Sequence, residues 1–340
     1  MKNLLLLFLA LFCIASINCS NKMKSSKWEK FKAQHEKVYK DSTEELERIQ
    51  IWMNNKDKID EHNKLFKQGQ VSFQQEVNKF SDKTSDELVK LYTGLIFKEP
   101  STEGKITVEP TEDVPIALDW RSKGAVTEVK NQGDCASCYA FSAIGSVESQ
   151  YFLNTGKLVS LSEQQIIACD REFNYGCYGG GIDKSLHYIA DDGGIETEKF
   201  YPYTASHLEV CRSDPKASEV ISTGVKSFLR GEGNLLKAVA TYGPISVSMQ
   251  ALKSLFSYKS GVYDDPKCGA MPNHAVLVVG YGNEDGKDYW LVKNSWGKDW
   301  GEEGYVKMVR NKNLCGLAVI MEVPTGVKAA KTLNESKVEL

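Results

Sequence analysis

The stretch Gln132-Gly133-Asp134-Cys135-Ala136-Ser137-Cys138-Tyr139-Ala140-Phe141 decides how the chain is read. Gly133 lets the backbone turn tightly. From Cys138 to Leu153 the residues Phe141, Ile144, Val147 and Tyr151 recur along one side of a helix. Cys138 therefore opens a helix with a buried face. A thiol attacks a carbonyl only as thiolate, and a helix N-terminus favours that anion. Cys135 is poised for a disulfide that would stiffen the turn.

Downstream, Ser162-Glu163-Gln164-Gln165 reads as a helix start and Asp183–Ala190 as a short helix. Ile245–Gln250, His274–Tyr281, Tyr289–Lys293 and Gly304–Arg310 read as strands. Helices first and strands later give an α+β class with two lobes. The chain has five histidines. His35 and His62 precede a cleavable connector, His187 lies on the short helix and His207 in a loop. His274 opens the apolar run Ala275-Val276-Leu277-Val278-Val279, a strand edge from which an imidazole easily faces a cleft, although a histidine there, read alone, is more often structural. Asn294 ends the strand Tyr289–Lys293, and Trp296 and Trp300 follow it. An amide there is placed to hold the imidazole's other nitrogen while indole keeps water off that bond.

Upstream, Lys2 and the apolar run Leu4–Ala15 form a signal peptide, too short to span a bilayer, with cleavage between Ala15 and Ser20. The next segment, about Asn21–Tyr92, is charged and helical. Glu44, Arg48, Trp52, Asn55, Ile59 and Asn63 fall on one face of a helix, and Glu44 and Arg48 are spaced to pair. That face mixes charge, amide and indole, which suits specific docking better than a plain core stripe. From about Thr93 to Asp113 the composition suits an extended, exposed connector. The tail Gly326–Leu340 is polar and is expected to be disordered or trimmed.

With 41% hydrophobic and 26% charged residues the chain is globular in composition, and a net charge of -3 carries no nucleic-acid footprint. Of nine cysteines, Cys13 and Cys19 lie in or beside the signal peptide. The remaining seven are odd in number, so at least one thiol lacks an intramolecular partner. Parity does not say whether that thiol is idle, intermolecular or kept for chemistry.

The block around Cys138 resembles the nucleophile motif of papain-like cysteine proteases. His274 and Asn294 follow Cys138 by 136 and 156 residues, close to the family interval of about 130–150. Asn273-His274-Ala275 and Asn294-Ser295-Trp296-Gly297 resemble the family's other two blocks. Leu118-Asp119-Trp120-Arg121 resembles a mature N-terminus, and Cys177-Tyr178-Gly179-Gly180 the glycine strip that binds substrate backbone. The helical face Glu44–Asn63, with Asn78, Phe80 and Asp82, resembles the inhibitory prosegment of the cathepsin L-like branch. The resemblance covers about residues 27–325. Departures are Tyr139 and Ala136 beside the nucleophile, Glu76 in the second prosegment motif, and Gly181 after the glycine strip.

The resemblance implies a papain-like two-lobe fold, with a helical left lobe, a β-barrel-like right lobe and the cleft between them. It divides the chain into signal peptide 1–19, inhibitory propeptide 20–113, protease domain 114–325 and tail 326–340. It implies an endopeptidase made as a zymogen, with Cys138 as nucleophile, His274 as proton partner, Asn294 orienting it, Gln132 and the Cys138 N–H as oxyanion hole, and Trp296 in support. Acyl transfer follows: the thiolate attacks, the imidazolium protonates the leaving amine, and water hydrolyses the thioester. Substrate backbone is expected at Gly179, Gly180 and Asn273. Ile182, Ser248, Pro272, Ala275 and Ile320 line the pocket for the side chain two residues before the cut (P2), and isoleucine at 320 favours an apolar one. The implied disulfides are Cys135–Cys177, Cys169–Cys211 and Cys268–Cys315.

No cofactor and no metal is expected. Expected partners are protein or peptide substrates, the chain's own propeptide lying backward through the cleft, and cystatin-type inhibitors. No nucleic acid and no membrane after signal removal are expected, and the chain should be monomeric. The destination is the secretory pathway, leading to a lysosome or an extracellular, digestive setting. Asn334 heads a glycosylation sequon. A same-fold aminopeptidase, or a scaffold that binds without cleaving, are the competing readings. The first needs a tethered blocking peptide, and intact Cys138, His274 and Asn294 oppose the second.

Overall fold

The computed structural model of the chain describes residues 26–98, 102–109, 114–172 and 174–330. The expected signal peptide, residues 1–19, and Asn334 lie outside them. The fold separates into two units: the chain up to Glu61 with Val77–Thr84, and His62–Glu76 with everything from Ser85 onward.

In the first unit a helix over residues 26–34 (α1) and the start of α2 (Ser42–Lys67) carry an aromatic cluster. Trp28 and Phe31 stack at 5.4 Å and Trp52 packs edge-on against Trp28 at 5.6 Å. The amide on the mixed face of α2 grips backbone: Asn55 Nδ2 donates to the Ser81 carbonyl at 2.8 Å and to Lys83 O at 3.1 Å. Asp82 accepts from Lys37 Nζ at 2.9 Å and from the Tyr39 hydroxyl at 3.0 Å. Glu45 accepts from Trp28 Nε1 at 3.0 Å and Lys32 Nζ at 2.5 Å.

In the second unit Asn63, on the last turns of α2, pairs both ways with Gln75 at 2.8 and 2.9 Å. This pins β1 (Phe73–Gln75), and α3 (Ser85–Tyr92) follows. After β2 (Leu118–Asp119) come α4 (Cys138–Thr155), α5 (Glu163–Cys169) and α6 (Ile182–Asp191). Ser162 caps α5 by accepting from Gln165 N at 3.0 Å, and Gly156 ends α4 with a left-handed φ of 74°. Helix α4 is buried almost all round, not on one face only, because α5, α6 and the sheet all pack on it.

The remaining elements are β3 (Val220–Ile221), β4 (Gly224–Ser227), α7 (Glu232–Tyr242), β5 (Ile245–Met249), α8 (Lys253–Phe256), β6 (Tyr258–Tyr263), β7 (His274–Glu284), β8 (Lys287–Lys293), β9 (Tyr305–Val309), β10 (Met321–Thr325) and β11 (Lys328–Ala329). One sheet runs β1-β6-β9-β8-β7-β5-β10-β4, with β2 added on β7. It is open, which corrects the expectation of a barrel-like lobe. Its terminal strands β1 and β4 have only three and four residues and do not pair with each other.

Two further expectations change. The segment after Thr93 is not a wholly exposed connector: Thr93, Leu95 and Val108 are buried, and Ile106 bonds Ser227 O and Leu229 N at 3.1 and 2.9 Å. The tail begins with structure, because Val327 is buried and β11 pairs with β3. Short strands of two residues have no periodicity to read.

Behind α4 lies a buried charge network. Lys130 Nζ pairs with Glu148 at 3.1 Å and Glu163 at 2.8 Å, both carboxylates being almost fully buried. Lys293 Nζ donates to Thr127 Oγ1 at 2.8 Å. Burial pushes the Lys293 ammonium down to about 8, against the pull of Glu148. Removing one member of such a network leaves uncompensated charge. Lys130→Met, made in a Cys138→Ala background to prevent self-processing, should lower unfolding free energy by about 3–5 kcal/mol in urea titration. An unchanged midpoint would show that the network contributes nothing.

Candidate active site

Cys138 is the first residue of α4, and the turn before it is fixed from three sides. A disulfide joins Cys135 to Cys177, and Ala136 N donates to Cys177 O at 3.2 Å. Gln132 N donates to Ser295 O at 2.8 Å, which ties this turn to the loop after β8. Tyr203 donates its hydroxyl proton to Gln132 O at 2.7 Å. Tyr139, fully buried, donates to Gly176 O at 2.8 Å. Cys138 is the one free thiol among the described residues, since disulfides also join Cys169 to Cys211 and Cys268 to Cys315.

His274 begins β7 opposite Met249 of β5. Its Nε2 meets Asn294 Oδ1 at 2.9 Å, and Oδ1 also accepts from Ser295 N at 2.9 Å. The His274 Nδ1 atom is buried and has no hydrogen-bond partner. Trp296 stacks on the imidazole at 4.9 Å and on Phe256 at 4.3 Å, so the His274–Asn294 bond is walled off from water. Burial, opposed only by the bond to Asn294, pulls His274 down to about 4. Burial likewise pushes the Cys138 thiol up to about 12, partly offset by backbone N–H groups of Ala275, Gly94, Tyr139 and Leu95. Burial thus disfavours the charged form of both groups.

The cover that buries them is the chain's own backbone after α3. The Tyr92 carbonyl accepts from Gln132 Nε2 at 3.3 Å and from Trp296 Nε1 at 3.2 Å, and the Tyr92 hydroxyl bonds Asp134. Gly94 N and Leu95 N donate to Asn273 O at 3.1 and 3.0 Å. Gly180 N donates to Gly94 O, and Ile96 N to Gly180 O, each at 2.8 Å, which makes a parallel bridge. Only glycine fits at 94, because a Cβ there would overlap the Ala136 carbonyl oxygen. At Gly180 a Cβ would overlap Asn174 Oδ1, the atom that accepts from Gly181 N at 2.8 Å. Leu95 is buried in one cluster with Cys138, Ile182 and Ala275, and Ile320 packs against it.

Residues 114–325 match the papain family cysteine protease model, and residues 28–88 the cathepsin propeptide inhibitor domain. The chain belongs to the papain family of cysteine proteases. It is 44% identical to a cathepsin L-like peptidase of Aedes aegypti, across 94% of this chain and 99% of that one. Cathepsin L1 of Drosophila melanogaster is 43% identical, across 94% and 90%. Among solved structures, the digestive procathepsin L2 proteinase from Tenebrio molitor larval midgut superposes with a TM-score of 0.83 at 39% identity, covering 89% of this chain and 99% of that one. The chain is a papain-family cysteine endopeptidase made as a zymogen, and its own propeptide carries the inhibitor domain.

Of the expected P2 residues, Ile182 and Ile320 line a cavity of about 550 Å³ together with Gly180. Ser248, Pro272 and Ala275 are not in its lining. Ser248 Oγ instead bonds Gly316 O at 3.3 Å and Ile320 N at 3.2 Å, and so supports the wall from behind. Asn273 holds the cover, as above, and its side chain bonds Ala251. Sequence reading missed Ser295, whose hydroxyl donates to Gln132 Oε1 at 2.7 Å and so turns Nε2 outward to Tyr92 O. It also missed Asn174. Ser295 lies inside the Asn294–Gly297 block and was open to notice; Asn174 sits in a loop with no pattern.

Gly94→Ala should force the covering strand off Ala136 at a cost of about 1–3 kcal/mol. The uncleaved zymogen should then hydrolyse a small fluorogenic peptide roughly tenfold or more faster than wild type. An equal rate would mean that the cover tolerates the methyl group.

Proposed function

We propose that Cys138 is the nucleophile, His274 its proton partner and Asn294 the group that orients His274. Gln132 Nε2 and the Cys138 N–H then form the oxyanion hole, and Trp296 shields the His274–Asn294 bond. The observation that carries this reading is the position of the cover: a peptide carbonyl already rests on Gln132 Nε2, and the adjoining backbone lies on the Cys138 sulfur. A substrate backbone needs the same donors. Free of the cover, the thiol at the head of α4 regains water and the helix dipole. Transfer of its proton to Nδ1 of His274 gives the reactive pair. The thiolate attacks the scissile carbonyl and the imidazolium protonates the departing amine. Water then opens the thioester with His274 as base.

The propeptide is proposed to span residues 20–113, with cleavage close to Val114, and the protease domain to span 114–325. N-terminal sequencing of the activated enzyme reads that point. An apolar P2 side chain suits Ile182 and Ile320. The chain is proposed to travel the secretory pathway to a lysosome or an extracellular, digestive space, to act as a monomer and to be open to cystatin-type inhibitors.

Acid favours release. Where the open cleft holds both a thiol and an imidazolium, it binds one proton more than the closed cleft, in which burial keeps His274 near 4. Stability of the closed form is therefore lost as pH falls below the open cleft's thiol pKa toward 4. Within the first unit, hydrogen bonds from Lys32 and Trp28 hold the Glu45 carboxyl below its usual range, so its contribution also disappears as pH falls through that lowered value.

The test is activity against pH before and after acid incubation, for wild type and Cys138→Ser. Wild type should gain activity on an apolar-P2 peptide after acid, and Cys138→Ser should show none. A wild-type chain that neither cleaves nor takes up a thiol-reactive epoxide peptide at Cys138 would contradict the proposal. Gln132→Ala should lower kcat by about 10²-fold or more; unchanged turnover would remove Gln132 from the oxyanion hole.

A further inference from the structure

The cavity lined by Ile182 and Ile320 is not wholly apolar. Glu322 lines it too. Ile320 is the residue just before β10 and Glu322 the second residue of that strand, and both line the cavity. The Glu322 side chain is only 6% exposed. Its Oε1 meets the Ser227 hydroxyl at 3.4 Å, and its Oε2 has no hydrogen-bond partner. A buried carboxyl left half-satisfied is costly in an ordinary core, where such groups are paired. Here the unpaired oxygen belongs to the lining of a cavity that also meets the glycine strip at Gly180 and Gly181. Gly181 contributes no side chain to close that side.

The chain itself supplies a cation to this carboxyl. Lys105, in the segment that the protease must shed, lines the same cavity and acts on Glu322 as a positive charge. The neighbouring Ile106 N holds Lys105 there by donating to Ser227 O at 3.1 Å. Once residues before 114 are cut away, that side of the cavity, which Leu95, Ile96, Lys98, Glu103 and Lys105 line, opens and Glu322 loses that charge.

We propose that Glu322 is a second specificity determinant, which admits a long cationic side chain, arginine or lysine, two residues before the scissile bond alongside the apolar side chains that Ile182 and Ile320 accept. This rests on the reading of the cavity as the P2 pocket. The aliphatic stem of the cation lies against the isoleucines and its charged head replaces Lys105 at Glu322. The other charged and titratable groups lining the cavity are Tyr175 before the glycine strip, Asp183, Lys184 and His187 on α6, and Lys98, Glu103 and Lys105 from the shed segment. Burial first, then Asp183, raises the carboxyl to about 8, against Lys105, the Ser227 hydrogen bond and Lys184. A carboxyl so raised is protonated in acid, so acceptance of the cation should grow as pH rises.

The test uses mature enzyme and two fluorogenic peptides that differ only in leucine or arginine at P2. Wild type should cleave both, with the arginine-to-leucine ratio of kcat/KM rising from about pH 5 to 7. Glu322→Gln should cut the arginine kcat/KM about tenfold or more, the size expected for a lost charge-assisted bond, and flatten the pH dependence of the ratio. The leucine substrate should stay within about twofold, and the thermal midpoint should show the variant folded. Ile320→Ala separates the two ways of failing. If it alters the leucine rate while Glu322→Gln leaves the arginine rate unchanged, the pocket stands and the role of Glu322 is overturned. If neither variant alters either rate, the P2 reading falls and this proposal with it.

Discussion

A single constraint organises the second unit: the backbone of Tyr92–Ile96 is laid on the Cys138 sulfur and keeps water from it. A thiolate and an imidazolium need hydration or one another, and burial removes the first. Burial raises the thiol and lowers the imidazole, so the cover disfavours an ion pair beneath it. The cover also satisfies, with its own carbonyl and N–H groups, the donors and acceptors that a substrate would use, so the closed cleft leaves few of them orphaned.

Rigidity follows from the same need. Gln132 is aimed at Tyr92 O from both ends of its amide: Ser295 donates to Oε1 at 2.7 Å, and Nε2 also donates to Cys135 O at 2.7 Å, while the turn before α4 bonds the loop after β8. Asn174 likewise fixes the glycine strip from behind. The buried Lys130–Glu148–Glu163 network anchors the base of this assembly. Gln132 and Asn174 are each held by a neighbouring polar group, so this part of the site is set before any substrate arrives.

Much of this was legible in the residues. Cys138 at a helix start, His274 at the head of an apolar strand and Asn294 before Trp296 each carry a side chain whose chemistry has few uses. The long helical face of α2 was equally readable, and its unusual amide at 55 proved to grip two backbone carbonyls. What escaped reading acts through the main chain. Tyr92, Gly94 and Leu95 work by groups that every residue possesses, so no side-chain pattern marked the segment as buried. The open sheet was missed because its edges, β1 and β4, are too short for alternation to show and lie far apart in sequence. Glu322 sits inside Met321–Thr325, a strand that the sequence reading did not mark.

Titration of Cys138 in the two forms tests the central claim most directly. The rate of alkylation by iodoacetamide against pH reports the thiolate. The uncleaved zymogen, with its cover in place, should react appreciably only in strongly alkaline solution. The mature enzyme should react with a midpoint below about 7.5, in the range of activated protein thiols. The same midpoint in both forms would contradict the account, for the cover would then block access without changing the charge of the sulfur.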